Sequence, residues 1–225
     1  MNKVTGNQVI GVLQKLAKEL QTRQLSPTEW TSEIKSVLVR ELSQPDEQIG
    51  AYAHSVKAGT RTDWGEWLWD FVLAKHKSHP ELEKLKINMV DRLMVIAEIE
   101  RNTNYNEIAV DFQKLVFGVA DLKVYIFPKN NEANNEKIHE FCLDLSKTTG
   151  TREGDPYLLI GFPMSAHTSE LFVRAWQVRA GEIVNQPELA AGKSDEDMFG
   201  RSRLFSTRMN RFNAMECAAC SPVKS

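Results

Sequence analysis

The chain has 225 residues, of which 42% are hydrophobic and 26% are charged, a composition typical of a globular protein with a sizeable core. The formal net charge of -2 argues against a protein that binds nucleic acid through its overall charge, but it leaves local basic patches open. No apolar run approaches the ~18 residues of a membrane span, and the N-terminal residues lack a signal-peptide core. We therefore expect a cytoplasmic protein with no membrane partner.

The first third of the chain is predicted to be helical. Residues 7–24 carry apolar side chains at helical spacing, and a second helix is predicted to begin after Ser26, with Glu29 at the capping-box position. Residues 46–54 are predicted to form a short third helix. We expect residues 1–60 to be a helical region packed on the core of the protein.

The next apolar segment contains the first acid of interest. Glu66 to Lys75 is aromatic enough to be predicted as a strand. Alternation would place Trp69 and Phe71 on one face of this strand and Asp70 on the other, among apolar neighbours. Because burial of a charge is costly, a functional role explains Asp70 better than simple exposure to solvent does.

Two further acids fall on the strand predicted over residues 91–100. Glu98 and Glu100 point to the same face, while Ile99 points to the other. Neighbouring carboxylates repel, so such a pair usually binds a cation or keeps one proton. A divalent metal ion is one answer. The alternative is that the strand lies at the edge of a sheet, where both glutamates face water.

A helix is predicted to follow this strand, over residues 107–120. Glu107, Asp111 and Lys114 fall on one stripe of the helix, so an ammonium group is available beside the acids. Leu122 to Phe127 is predicted to be another strand. A strand–helix–strand unit of this length is a crossover connection, which favours parallel pairing of its two strands.

The remaining elements complete an α/β fold. A helix is predicted over residues 134–147, and strands over 157–162 and 171–178 are predicted to pair as an antiparallel hairpin. The sequence therefore predicts a mixed central β-sheet flanked by helices, preceded by the helical N-terminal region. We expect the α/β core to span residues 61–190 and a polar, basic tail to span residues 191–225.

The tail contains a cluster of arginines: Arg201, Arg203, Arg208 and Arg211. Guanidinium groups bind phosphate well, so this cluster is a candidate nucleic-acid contact. The alternative is a basic tail that only balances an acidic body. Cys217 and Cys220 form a Cys-x-x-Cys pair, but there is no second pair, so zinc or redox chemistry is not favoured.

The order of acids and elements, Asp70 and then Glu98-x-Glu100 followed by a helix and a strand, resembles the PD-(D/E)xK nuclease superfamily. That superfamily has the restriction-endonuclease-like fold, with an Asp on one strand and Glu-x-Lys on the next. Asp70 and Glu98 correspond to its two acids, Trp69 stands where a proline often precedes the first acid, and Glu100 stands at the lysine position. Some members carry a glutamate there, and others carry the lysine on the following helix, where Lys114 lies.

The resemblance implies a metal-dependent endonuclease that hydrolyses DNA phosphodiester bonds, similar to type II restriction enzymes and expected to be a homodimer. It implies that Asp70, Glu98 and the Ile99 carbonyl bind Mg²⁺, or alternatively Mn²⁺. Glu100 or Lys114 would then orient or deprotonate the attacking water. Two rival hypotheses remain. One is a catalytically inactive nucleic-acid-binding or assembly protein on the same fold, and the other is an interaction module that acts through the N-terminal helices.

Overall fold

The structure is a computed structural model that describes residues 6–23, 25–44, 48–53, 68–84, 89–147, 151–164 and 168–187. The helices in these residues are α1 (Gly6–Leu20), α2 (Pro27–Leu42), α3 (Pro80–Lys84), α4 (Tyr105–Phe117) and α5 (Glu132–Ser146). The strands are β1 (Ile49–Ala53), β2 (Phe71–Lys77), β3 (Met89–Ile99), β4 (Leu122–Pro128), β5 (Pro156–Phe162), β6 (Phe172–Arg179) and β7 (Glu182–Asn185).

The strands of the described residues form one mixed sheet, in which their spatial order is the same as their order along the chain. The first three strands, β1 to β3, pair antiparallel. Strands β3, β4 and β5 pair parallel, and β5, β6 and β7 pair antiparallel. The predictions of a parallel crossover between β3 and β4, and of an antiparallel pair at β5 and β6, are therefore confirmed.

Helices cover both faces of this sheet, so the protein is a mixed α/β protein with three layers. Helices α1 and α2 share one apolar cluster with one face of the sheet. Helices α4 and α5 share a second cluster with the opposite face. Trp30 of α2 illustrates the first contact, because its ring meets Phe162 of β5 edge to face with centroids 5.5 Å apart.

The N-terminal helices follow the sequence pattern closely. Helix α2 begins at Pro27, and the capping box predicted between Ser26 and Glu29 is present in both directions. The Ser26 hydroxyl accepts from the Glu29 amide, and the Glu29 carboxylate accepts from the Ser26 amide. These bonds satisfy two groups that a helix N-terminus otherwise leaves without partners.

The helix predicted over residues 46–54 is wrong where the structure describes that segment. Ile49–Ala53 is strand β1, which pairs antiparallel with β2, and Ile49 lies opposite Lys75. A hydrogen bond between the Tyr52 hydroxyl of β1 and Nε2 of His76 of β2, at 2.7 Å, also joins the two strands. The paired residues of β1 and β2 are 18 to 26 positions apart in the sequence, so local periodicity did not reveal the pairing.

Strand β2 begins later than the sequence predicted. The described chain bends at residues 68–70, and the strand starts at Phe71. Trp69 consequently packs in the cluster beneath α4, whereas Phe71 packs in the cluster beneath α2. The prediction that these two aromatic side chains share a face is therefore wrong, because alternation holds only within a continuous strand. Asp70 lies just before the strand rather than inside it.

Strand β3 lies inside the sheet, between β2 and β4. Glu98, its penultimate residue, is 2% exposed, and Glu100, just beyond its end, is also buried. The alternative of an edge strand whose glutamates face water is therefore wrong. Because β2 runs antiparallel to β3, with Phe71 opposite Ala97, the start of β2 lies beside the end of β3.

Candidate functional site

A polar cleft of about 620 Å³ opens where β2 begins and β3 ends, between α2 and α4. Its lining residues are Thr28, Thr31, Ser32, Lys35, Asp70, Glu98, Ile99, Glu100, Arg101, Asn102, Glu107, Asp111 and Lys114. Five of these residues are acids and three are bases, so the cleft carries more potential negative charge than its cations balance. The four residues that the sequence predicted as catalytic all line it.

Asp70 lies just before β2, and two contacts fix its side chain. Its Oδ1 atom lies 2.5 Å from the Nζ atom of Lys35, and its Oδ2 atom accepts a hydrogen bond from the Ile99 amide at 3.0 Å. The Asp70 side chain is 27% exposed, whereas that of Lys35 is 10% exposed. The bond to Ile99 fixes Asp70 beside the end of β3, which is how two distant acids become neighbours.

Glu98 is the most constrained acid in the cleft. Its Oε2 atom lies 3.3 Å from the Nζ atom of Lys114, whereas its Oε1 atom is buried without a hydrogen-bond partner among the described residues. Burial and the nearby Asp70 charge raise the pKa of Glu98 from the ordinary 4.5 to about 8, although Lys114 opposes this effect. A buried carboxylate oxygen without a partner is costly, and a cation bound there would remove that cost.

Glu100 occupies the turn that leaves β3. Its Oε1 atom accepts hydrogen bonds from the amides of Arg101 at 2.5 Å and Asn102 at 2.7 Å. Burial raises the pKa of Glu100 to about 7, and a hydrogen bond with the Asp111 carboxyl adds to the effect, while the two amides oppose it. A carboxyl with this pKa can accept or donate a proton near neutral pH.

Lys114 connects α4 to these acids. Its Nζ atom lies 2.6 Å from Oδ1 of Asp111, one turn earlier on the helix, in addition to its contact with Glu98. Burial alone would lower the pKa of Lys114, but the contacts with Asp111 and Glu98 outweigh burial and raise it. Lys114 therefore places a charged ammonium group beside the acids, where the stripe of Glu107, Asp111 and Lys114 on α4 predicted one.

The donors in the cleft fit a hard divalent cation that keeps part of its water shell. Asp70, Glu98 and Ile99 line the cleft and carry oxygen atoms of the kind that Mg²⁺ prefers, and Oε1 of Glu98 has no hydrogen-bond partner among the described residues. Within the described part of the chain, no three side chains of the His, Cys, Asp or Glu type are arranged as a metal site. A cation would thus be bound by two carboxylates, a backbone carbonyl and water.

Lys35 is the site residue that sequence reasoning missed. It lies on α2, 35 residues before the acid it contacts, and it is 8% exposed beside the core residue Ile34. The available signal was a lysine bordering the inward stripe of an amphipathic helix. That signal is weak, because lysine often buries its methylene chain against apolar surface while its charge stays in water.

Other predicted residues fall beyond the described chain. Arg201, Arg203, Arg208 and Arg211, proposed as nucleic-acid contacts, lie outside the described residues, as do Cys217 and Cys220. Cys142, the remaining cysteine, is buried in the cluster beneath α4 and α5. The cleft between α2 and α4 is thus the place where the described predicted residues meet.

Comparisons with protein-family models, with curated proteins and with solved structures found no match to this chain. In the segments that the structure describes, no helix has both the length and the apolar character needed to cross a membrane.

Proposed function

We propose that this protein is a metal-dependent endonuclease that hydrolyses DNA phosphodiester bonds and belongs to the PD-(D/E)xK, restriction-endonuclease-like type. The observation that carries the proposal is the convergence of Asp70 and Glu98 at the end of β3, where one Glu98 oxygen is buried without a hydrogen-bond partner among the described residues. The order of elements supports it too. An acid at the start of β2 is followed by a second acid on β3, a crossover helix and a parallel strand.

In this proposal, Asp70, Glu98 and the Ile99 carbonyl would bind Mg²⁺ or Mn²⁺. The ion, when bound, would supply Lewis-acid activation of water and would neutralise charge on the phosphate. Glu100 is suited to accept a proton from the attacking water, because its pKa of about 7 lies near neutral pH. Lys114 is suited to stabilise the negative charge that develops on the phosphate oxygens.

The test is cleavage of long DNA of mixed sequence, supercoiled and linear, by the purified protein with Mg²⁺, Mn²⁺ or EDTA. Asp70→Asn and Glu98→Gln each replace a carboxyl group by an amide of nearly the same shape, so neither side chain can supply a carboxylate to a metal ion, and we expect both to abolish a metal-dependent activity. Asp144→Asn and Glu81→Gln are matched controls, since these acids are exposed and form only i,i+3 pairs with lysines. Cleavage that survives in both site variants would refute the proposal.

One observation favours a second candidate, a catalytically inactive nucleic-acid-binding protein on the same fold. Both carboxylate oxygens of Asp70 already have partners, one in Lys35 and one in the Ile99 amide. Glu100 also stands where the superfamily pattern has lysine. If the protein is inactive, it should bind DNA in a gel-shift experiment and show no cleavage with either metal ion. Its Asp70→Asn variant should bind DNA as well as the wild type does.

A further inference from the structure

Helix α2 presents a polar stripe to the cleft that the proposed chemistry does not use. Thr28, Thr31, Ser32 and Lys35 all line the cleft, and their spacing of three, four and seven residues from Thr28 places them on one side of a helix. The helix buries apolar residues such as Ile34 and Leu38 on a neighbouring stripe. Three hydroxyl groups and an ammonium therefore form one wall of the cleft.

Arg101 extends this wall from the other side of the cleft opening. The residue is exposed, and its Nη1 atom lies 3.4 Å from the Thr28 hydroxyl oxygen, so the guanidinium borders the beginning of α2. The acids Glu107 and Asp111 lie on α4 instead. The α2 side of the cleft therefore carries three hydroxyls and Lys35, with Arg101 beside them, and the α4 side carries these two acids together with Lys114.

Lys35 gives the α2 wall a fixed positive charge at its base. Its side chain is 10% exposed, and its bond to Asp70 uses one of the three N–H donors of an ammonium. The other two N–H donors of the Lys35 ammonium can each take a further acceptor in the cleft. An anion with several oxygens could accept from this ammonium and from the hydroxyls together.

We infer that the α2 wall, defined as Thr28, Thr31, Ser32 and Lys35 together with Arg101, binds a phosphate group of the nucleic-acid backbone. This inference rests on the proposed nuclease function and adds the surface that positions the substrate. Hydroxyl, lysine and arginine donors supply most contacts from proteins to DNA phosphates. The acids of α4 cannot play this part, because a carboxylate repels phosphate. The wall therefore places one backbone phosphate beside the acid pair that would act on the strand.

The test is fluorescence anisotropy of a fluorescein-labelled DNA duplex titrated with the full chain in Ca²⁺ and, in parallel, in EDTA, over a series of salt concentrations. Arg101→Ala should weaken binding and reduce the slope of log K against log salt by about 0.9, since one phosphate contact is lost. Ser32→Ala should weaken binding by about two- to tenfold and leave the slope unchanged, because a hydroxyl carries no charge. Arg40→Ala and Ser36→Ala are the matched controls, as both residues lie on α2 outside the cleft lining.

The outcomes separate this inference from the function on which it rests. If the wild-type protein binds and cleaves DNA, but Arg101→Ala and Ser32→Ala bind as their matched controls do, the phosphate wall is wrong and the nuclease proposal stands. If the wild-type protein neither binds nor cleaves, both are wrong. Binding of inorganic phosphate by a protein that ignores the duplex would also overturn the inference, since it would indicate a small-molecule site.

Discussion

Replacing Glu98 by glutamine should stabilise the folded protein when no divalent cation is present. The wild-type carboxyl has a pKa of about 8 in the folded protein and an ordinary value of 4.5. Its side chain is 3% exposed, so solvent screens this effect little. The folded state therefore holds a proton on Glu98 that the unfolded state releases between these two values, and the stability of the wild type falls as pH rises through that window.

The size of the effect follows from the same pKa values. The ordinary pKa of 4.5 lies about 2.5 pH units below pH 7, and each unit corresponds to about 1.4 kcal/mol. At pH 7 the raised pKa of Glu98 therefore lowers the free energy of unfolding by ~3 kcal/mol. Glutamine has nearly the same shape and does not titrate. The free energy of unfolding of Glu98→Gln should exceed that of the wild type by about this amount at pH 7, and by little below pH 4.5.

The assay is urea unfolding of both proteins in EDTA at pH values below, within and above the window. Glu81→Gln is the control, because Glu81 is exposed on α3 and should behave as the wild type does. Glu100, with a pKa of about 7, titrates in both proteins, so the difference between them isolates Glu98. A variant that is less stable than the wild type, or a difference that does not grow with pH, would refute the account of the cleft.

Adding Mg²⁺ extends the same experiment to the proposed ligands without an activity measurement. A cation that binds only the folded protein stabilises it by about 2.7 kcal/mol at a concentration 100 times its Kd. Wild-type protein should gain this stability, and Glu98→Gln should gain much less. Equal stabilisation of both proteins would place the bound ion away from Glu98.

Two further substitutions test how the surroundings of the cleft are built. Gly118→Ala would put a Cβ atom 2.4 Å from Cδ1 of Ile96 and 2.8 Å from Cζ2 of Trp69. Because this crowds the core, urea unfolding should show a free energy of unfolding about 1–3 kcal/mol lower than that of the wild type. Under the proposed nuclease function, this variant should also cleave DNA more slowly than the wild type, because Trp69 precedes Asp70. Unchanged stability would contradict the crowding argument. Ser26→Ala removes the N-cap of α2, so thermal or urea unfolding should show a free energy of unfolding about 0.5–2 kcal/mol lower than that of the wild type. An unchanged free energy would mean that the capping box contributes nothing to stability.

The elements that could be predicted from sequence are those whose signals lie within a few residues. Helix α2 has its capping box, and the unit from β3 to β4 has the alternation, helical spacing and length of a crossover. Two acids of the cleft could also be predicted, because Glu98 interrupts the apolar end of β3 and Glu100 follows it directly. In each case the local pattern and the tertiary structure favour the same conformation.

The features that were missed depend on distant contacts. Strand β1 exists because it pairs with β2, and the segment Ile49–Ala53 is too short to show this by itself. Trp69 and Phe71 lie on opposite faces because the chain bends before β2 begins. Lys35 meets Asp70 only after α2 has packed on the sheet, so no spacing in the sequence could join them.

Two lysine side chains reach the acids of the cleft from opposite faces of the sheet. Lys35 comes from α2 on one face to Asp70, and Lys114 comes from α4 on the other face to Glu98. Even with both lysines in place, one Glu98 oxygen has no hydrogen-bond partner within the described segments, and the pKa of Glu98 stays at about 8. A fold built for stability alone would be better served by glutamine at this position. Such a local conflict is typical of a functional site, where a ligand absent from the isolated chain completes the balance of charge.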